Sequence, residues 1–189
     1  MDNRSNILDC ALRLFAARGY DAVGVQEICE AAGVTKPTLY HYFGNKRGLL
    51  AALVADRAGP FVRRLADAAA VYNGNLSLSF QHIIETYFQF ATQEATLYRM
   101  LLMLWFAVPD DDAFHVVAAF NAEQQRIIEE LFERAVPNYG NMRGRQRIYA
   151  ATFIGMINTY IGLALNKHIE LNDAVVRQAI QQFSYGIYS

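Results

Sequence analysis

The amino-acid sequence predicts an all-α protein of about nine helices. Only four prolines occur in 189 residues, and no Val/Ile/Thr-rich alternating segment lies between turn signals, so strands have little support. Apolar residues instead recur at helical spacing along most of the chain. With 53% hydrophobic and 19% charged residues, the composition is that of a folded globular protein rather than a disordered chain.

The first 46 residues predict three short helices with recognisable ends. Gly19 stops the first helix and Gly33 stops the second. The third begins after Thr35, whose hydroxyl can accept a hydrogen bond from an amide of the first turn. Pro37 is tolerated in that turn because its missing N–H would have had no partner. The predicted ranges are Ser5–Arg18, Val25–Ala32 and Lys36–Phe43.

A longer helix is predicted from Lys46 to about Tyr72, capped by Asn45 and interrupted or kinked near Gly59-Pro60. A turn at 73–75 separates it from five further helices, each bounded by caps or breakers. These helices are Ser77–Glu94, Leu97–Ala107, Asp110–Ala135, Arg143–Lys167 and Asn172–Tyr188.

Charge is divided unevenly along the chain. The whole sequence has a net charge of -1, but residues 1–64 contain nine Lys/Arg and six Asp/Glu, whereas residues 65–189 contain eight and twelve. Only the N-terminal part therefore suits contact with phosphate. We place a boundary near residue 46, which gives a head of residues 1–46 and a body of residues 47–189.

Cysteine content and targeting signals indicate a cytoplasmic protein. Cys10 and Cys29 are the only cysteines, too few for a disulfide framework or a cysteine-based zinc site. The polar N-terminus lacks the pattern of a signal peptide. The uncharged segment 148–166 approaches the length that spans a bilayer. Asn158, Thr159 and two glycines interrupt it, so we favour a helix buried in the fold.

Neighbouring acids and histidines raise the question of a metal or acid/base site. His115 follows the acidic run 110–112, and His82 lies one helical turn from Glu85. The dipole at a helix start explains the acids more simply, and the His82–Glu85 pair has no evident third ligand. No phosphate-binding glycine loop or nucleophile elbow occurs either. We therefore expect no metal, no cofactor and no enzymatic activity.

Two short helices joined by a tight glycine turn are typical of a helix-turn-helix. Ile28, Cys29, Val34, Leu39 and Phe43 fit the packed positions of that arrangement. A helix of this size fits the major groove of B-DNA, and its amino end favours phosphate. The outer face of the second helix carries donors and no acid: it comprises Lys36, Pro37, Thr38, Tyr40, His41 and Tyr42.

Residues 24–50 have the sequence GVQEICEAAGVTKPTLYHYFGNKRGLL. They closely resemble the DNA-binding region of TetR-family (tetracycline-repressor-like) transcriptional regulators. Arg18-Gly19-Tyr20 extends the resemblance back to about Ile7, while the rest of the chain matches only in length and helical content. The family usually has Ser or Thr where Val23-Gly24 stands, and Ala where Cys29 stands.

The resemblance implies how the head would bind double-stranded DNA. Gln26 takes the place of a base-reading residue, and Lys46 would contact phosphate at the start of the next helix. Thr35 and Tyr42 would hold the DNA backbone. Gln pairs well with adenine, and a threonine methyl can pack on the methyl group of thymine. The residues implied to face bases or adjacent phosphates are Lys36, Pro37, Thr38, Tyr40 and His41.

Large soft side chains are common in the body. Each of them alone is better explained as core, but together they could line an apolar cavity, the usual form of a small-molecule site. An aromatic or lipophilic effector would fit such a cavity. The residues expected to line it are Phe88, Met103, Trp105, Phe106 and Phe120.

The uncharged helix at 148–166 is apolar on more faces than one core can use, which predicts a second partner. As in TetR-like dimers, it and the last helix would pack against their copies in a second subunit. A helix buried within its own chain is the alternative. The expected interface residues are Ala151, Gly155, Asn158, Thr159, Gly162, Val175, Ala179, Gln182, Phe183 and Gly186.

These features predict a ligand-responsive, DNA-binding transcriptional regulator that forms a homodimer. Its recognition helices would enter successive major grooves, about 34 to 36 Å apart, on a pseudo-palindromic operator. A small effector that prefers the DNA-incompetent spacing would release a repressor, and a co-repressor would have the opposite effect. The alternatives from other classes are a helical enzyme and a protein-interaction module that uses the body cavity.

Overall fold

The structure is a computed structural model that describes residues 2–109 and 111–186. Within these ranges it contains nine α-helices, one short 3₁₀-helix and no strand, which confirms the all-α prediction. The 3₁₀-helix, Gly140–Met142, lies between the seventh and eighth α-helices. The α-helices are α1 (Asn3–Arg18), α2 (Val25–Ala32), α3 (Lys36–Phe43), α4 (Lys46–Ala70), α5 (Leu76–Gln93), α6 (Ala95–Trp105), α7 (Asp112–Ala135), α8 (Gln146–Leu165) and α9 (Asp173–Tyr185).

The helix boundaries follow the capping signals closely in the first part of the chain, where α2 and α3 coincide with their predicted ranges. Of the interruption or kink predicted near Gly59-Pro60, the interruption is wrong and the kink stays a prediction. Helix α4 runs unbroken through Pro60, because the exposed proline is flanked by the fully buried Ala58 and Phe61, which hold the helix by packing. Tyr188, the predicted end of the last helix, lies outside the described residues.

The chain forms two compact units. Unit 1 comprises the chain up to Pro60 together with Glu94–Phe120, and unit 2 comprises Phe61–Gln93 together with the chain from Asn121. The helix-turn-helix thus shares its unit with the first part of α4 and with α6. The boundary near residue 46, inferred from charge, stays a prediction.

In unit 1, α1 packs against α2, α3 and α6. Ion pairs add to this packing: Arg57 of α4 pairs with Asp9 of α1 and, at 3.5 Å, with Glu94. The fully buried side chains of this core include Ile7, Phe15, Ile28, Leu39, Leu49, Leu50 and Leu53.

In unit 2, aromatic rings from several helices form the core. Phe61 and Phe90 stack with their centroids 4.4 Å apart, and Phe80 and Phe153 lie 4.7 Å apart. A polar pair is buried among these helices: the hydroxyl of Tyr87 donates to Oε1 of Gln124 over 2.9 Å. Burial raises the pKa of the Tyr87 hydroxyl well above its usual range, so the phenol stays neutral and keeps this bond.

Helix α8 is buried on one face only. Among the described residues it is the one helix long and apolar enough to cross a membrane, with about 28% of its most apolar window buried. Ile154, Ile157 and Ile161 face the core, whereas Ile148 and Leu163 are exposed. We expected a helix buried in its own fold. One face of α8 is buried in this way, and the opposite face is exposed and open to a partner.

Candidate nucleic-acid interface

The turn between α2 and α3 is built on a left-handed glycine. Gly33 has φ 64°, a conformation that side chains with a Cβ rarely adopt. The turn is closed when the amide of Val34 donates to the carbonyl of Cys29 over 3.0 Å. Leu39 is fully buried and Phe43 nearly so, and together they fix the inner face of α3. The outer face of α3 is thereby held toward solvent.

The N-terminus of α3 is capped as predicted. The side-chain oxygen of Thr35 accepts a hydrogen bond from the amide of Thr38 over 3.4 Å, and the two threonine hydroxyls lie 2.9 Å apart. Pro37 occupies the first turn, where no backbone donor is needed. The cap positions the amino end of α3 and its remaining amides for an anion.

The exposed face of α3 contains the residues that the sequence singled out. Thr38 is half-buried, and Tyr40 and Tyr42 expose 45% and 39% of their surface, unusually large fractions for side chains of this size. The rings of His41 and Tyr42 meet edge to face at 5.5 Å. Lys36 and Pro37 are also exposed. This face offers a cation, hydroxyls and ring edges, and it carries no acid.

Gln26 is exposed on α2, but its amide is engaged within the helix. Its Nε2 donates to Oε1 of Glu30 over 2.8 Å. A base contact by Gln26 would replace this surface hydrogen bond, which contributes little in water.

The start of α4 lies next to the helix-turn-helix, and Asn45 caps it as predicted: the amide of Gly48 donates to Oδ1 of Asn45 over 2.7 Å. The ammonium of Lys46 lies 4.1 Å from the centre of the Tyr20 ring, a cation–π contact. Burial lowers the pKa of Lys46, although Asp21 and Asp112 act in the opposite direction. The Tyr20 ring thus holds the half-buried ammonium of Lys46, which the resemblance assigns to a phosphate contact.

Gly48 is a structural requirement that the sequence analysis missed. A Cβ at this position would overlap the carbonyl oxygen of Phe43, the last residue of α3. This close approach sets the direction in which α4 leaves the recognition helix. The only signal of this requirement in the sequence is a glycine directly after two cations at a helix start.

The start of α2 uses a different cap from the usual Ser or Thr. Gly24 has no side chain, and its amide instead donates to Oε1 of Glu27 over 3.3 Å. Arg18 pairs with the same carboxylate. The amide of Gly24, and secondarily Arg18, hold the pKa of Glu27 below its usual range. Glu27 thus supplies the carboxylate half of a capping box, and the hydroxyl half is absent at Gly24.

The residues predicted to line the effector cavity differ in exposure. Met103 and Phe106 expose 51% and 86% of their surface, and Trp105 is also exposed, because they lie at the end of α6 and in the turn that follows. Phe88 is buried in unit 2, and Phe120 is half-buried at the end of the unit 1 segment. The prediction that these five side chains line an effector cavity stays a prediction.

The exposed face of α8 and α9 contains most of the predicted dimer residues. Two shallow cavities of about 630 and 760 Å³ lie along it. Gly155, Thr159 and Val175 line the larger cavity, and Gln182 lines both. Ala151 and Gly186 are exposed, and Asn158 and Gly162 are half-buried.

Of the predicted interface residues, Ala179 points into unit 2, and the half-buried Phe183 contacts the aromatic core while also lining the smaller cavity. Ala179 is fully buried, so it cannot contact a second subunit, because its position on α9 faces the core. The ring of Phe183 lies 4.8 Å from Phe153 and 5.3 Å from Phe80, which places it mainly with the aromatic core.

Potential metal ligands do not cluster in the part of the chain that the structure describes: no group of three or more His, Cys, Asp or Glu side chains could hold an ion there. Asp110, one of the acids before His115, lies outside the described residues.

Comparison with known proteins supports the interpretation of the head. Residues 7–53 match the model of a family described as bacterial regulatory proteins, tetR family. The HTH-type transcriptional activator FasR of Mycolicibacterium smegmatis is 30% identical over 100 residues, which cover 53% of this chain and 45% of FasR. This chain thus spans about half the length of the curated relatives that it matches.

The fold of the whole chain is shared with solved structures. The fatty acid degradation regulator FadR of Bacillus halodurans superposes with a TM-score of 0.79 at 18% identity, covering 99% of this chain and 97% of that one. FadR of Bacillus subtilis in complex with stearoyl-CoA gives 0.79 at 19% identity, with 97% and 98% covered. The solved structures therefore share the fold of this chain, and its residues 7–53 match the tetR family model.

Proposed function

We propose that this protein is a DNA-binding transcriptional regulator, most simply a repressor, which binds a pseudo-palindromic operator as a homodimer. The observation that carries the proposal is the exposed, acid-free face of α3, capped by Thr35 and followed directly by the cations at the start of α4. Two exposed tyrosines beside a histidine and a lysine suit base edges and phosphates better than bulk water.

The contacts divide into two kinds. Lys36, Tyr40, His41 and Tyr42 lie where they would reach phosphates or base edges, and Lys46 would contact a phosphate. Sequence would be read by Gln26 and by the threonine and proline at the amino end of α3. The hydrogen bonds that Gln26 and Thr38 make in the free protein, over 2.8 and 2.9 Å, would be exchanged for contacts with DNA.

Selection of bound duplexes from a random pool tests this assignment. The full chain should enrich a palindromic sequence, and Gln26→Ala and Thr38→Ala should each relax the preference at a few positions of it. Gln81→Ala is the matched control, because Gln81 donates to Glu85 one helical turn away over 2.8 Å, just as Gln26 donates to Glu30. Recovery of an unenriched pool would contradict the proposal.

The dimer would form through α8 and α9. Their open face carries small residues and exposed apolar side chains such as Ile148 and Leu163, and apolar surface of this kind is commonly covered by a partner. The predicted contacts that the fold leaves exposed are Ala151, Gly155, Thr159, Gln182 and Gly186.

An apolar effector would regulate DNA binding. FadR of Bacillus subtilis was solved with stearoyl-CoA, and a long-chain acyl-CoA is accordingly the first compound to test here. It would relieve repression by binding more tightly to the state that cannot hold DNA. Helix α4 begins at Lys46 and runs as one helix to Ala70, so a shift of the helix would move this phosphate contact.

The effector proposal is tested by adding stearoyl-CoA to a saturated complex of the protein with the selected duplex. Displacement of the DNA together with a raised melting temperature supports the proposal. A raised melting temperature with DNA still bound would assign the ligand another role. The proposal places the protein in the cytoplasm and assigns it no catalytic step.

A further inference from the structure

The start of α4 places two cations side by side at the positive end of a helix. Lys46 and Arg47 are its first two residues, and its first turn contains no acidic side chain. The helix dipole favours anions at this end, so adjacent cations are electrostatically unfavourable there unless an anion lies close by.

Within unit 1 the carboxylate of Asp112 supplies that anion. Asp112 is the first residue of α7, and its Oδ1 lies 3.4 Å from Nη1 of Arg47. The same carboxylate is close enough to Tyr20 and Lys46 to act on the pKa of both. Asp112 thus acts on both cations at the start of α4, together with Asp21 in the case of Lys46. It does so although 65 positions separate it from Arg47 in the chain.

We propose that Asp112 is a positioning residue for DNA binding: it holds Arg47 in the free protein, and Arg47 exchanges this carboxylate for a backbone phosphate when the head binds DNA. The inference rests on the proposed DNA-binding function and adds Arg47 to its phosphate contacts. The two partners expose 53% and 58% of their side chains, so the exchange is easy, because exposed ion pairs contribute little.

Because Arg47 must leave Asp112 before it can contact a phosphate, Asp112 competes with DNA for Arg47. The carboxylate should therefore weaken DNA binding. Removing the carboxylate frees Arg47 to contact a phosphate. Asp112→Asn should therefore tighten DNA binding, by about two- to five-fold for an exposed pair of this kind. Arg47→Ala should weaken DNA binding. It should also make the plot of log K against log salt less steep, by about 0.9 per head.

The test uses the full chain and a short duplex of random sequence, because binding to phosphates needs no operator. Fluorescence anisotropy from about 50 to 200 mM salt gives the affinity and the salt slope. Asp112→Asn is compared in the wild-type and Arg47→Ala backgrounds. Asp173→Asn is the matched control, because it removes the same charge from the same position of another helix, the first residue of α9.

The proposal expects tighter binding by Asp112→Asn, no such gain in the Arg47→Ala background, and no gain from Asp173→Asn. It is overturned if Asp112→Asn and Asp173→Asn behave alike, or if the gain persists without Arg47. It also fails if the wild type binds DNA but neither Arg47→Ala nor Asp112→Asn changes the binding. Absence of binding by the wild type would instead remove the proposed function, and this inference with it.

Discussion

The side-chain amide of Asn6 donates to the backbone carbonyl of Ala32 over 2.7 Å. Ala32 is the last residue of α2, and carbonyls at a helix end have no partner within the helix. Beside it, Sγ of Cys10 donates to the carbonyl of Ala31 over 3.3 Å. Helix α1 thus closes the end of α2 immediately before the turn that leads to the recognition helix.

Substitution of Asn6 tests this link. Asn6→Ala leaves the half-buried carbonyl of Ala32 without its donor, and we expect the free energy of unfolding to fall by about 1 to 2 kcal/mol. Urea denaturation measures the change. Asn3→Ala, on the exposed start of the same helix, serves as the control and should stay within about 0.5 kcal/mol of the wild type. Equal losses in the two variants would show that the bond is unimportant.

Gly48 allows α4 to start close to the end of α3. Gly48→Ala places a methyl group on the carbonyl oxygen of Phe43, and the backbone shift needed to relieve this overlap should cost about 1 to 3 kcal/mol and weaken DNA binding. Gly24→Ser is the control in the same unit: its Cβ would meet only an ordinary contact, 3.7 Å from Oε1 of Glu27. A serine cap there should leave stability unchanged or higher. Full stability of Gly48→Ala would refute the steric argument.

Ionisation of Tyr20 should lower the stability of the protein at alkaline pH. Burial, and next the charge of Asp112, raise its pKa to about 12 from an ordinary value of 10. The folded state therefore favours the neutral phenol, and this contribution is complete below pH 10 and lost as the pH rises toward 12. The loss amounts to about 2 to 3 kcal/mol.

Unfolding of wild type and Tyr20→Phe between about pH 9 and 12 isolates this contribution, since phenylalanine keeps the ring under Lys46 but does not titrate. The variant should lose less stability than the wild type over this range. Parallel curves would exclude Tyr20 as the source.

Local signals predicted the first part of the fold well. Thr35 and Asn45 cap their helices, and Gly33 makes the turn, because each acts on neighbours within a few residues. The links Asn6–Ala32 and Arg47–Asp112 join positions far apart in the chain, and no spacing in the sequence indicates them.

Residue type alone did not predict which apolar side chains are buried. Met103 and Phe106 are as apolar as core residues, yet they are exposed, since composition does not indicate which face of a helix end meets the core. Ala179 is small like its neighbours on the predicted dimer stripe, but its angular position on α9 turns it inward.

The proposed dimer face is tested by enlarging a small residue on it. Gly155 is exposed on α8 and lines a cavity there, so Gly155→Leu should keep two copies apart and give monomers in analytical ultracentrifugation. Ala122→Leu, an exposed small position on α7, is the control and should leave the dimer intact. A dimer of native affinity in Gly155→Leu would place the interface elsewhere.

The central claim is that the head binds duplex DNA through α3 and the start of α4, and its salt-dependent affinity for DNA is the most direct measurement. We expect the purified chain to bind duplex DNA at low salt and to lose affinity steeply as salt rises. Lys46→Ala should flatten the slope by about 0.9 per head, whereas Arg143→Ala in unit 2 should not. Failure of the wild-type chain to bind any duplex at low ionic strength would contradict the claim.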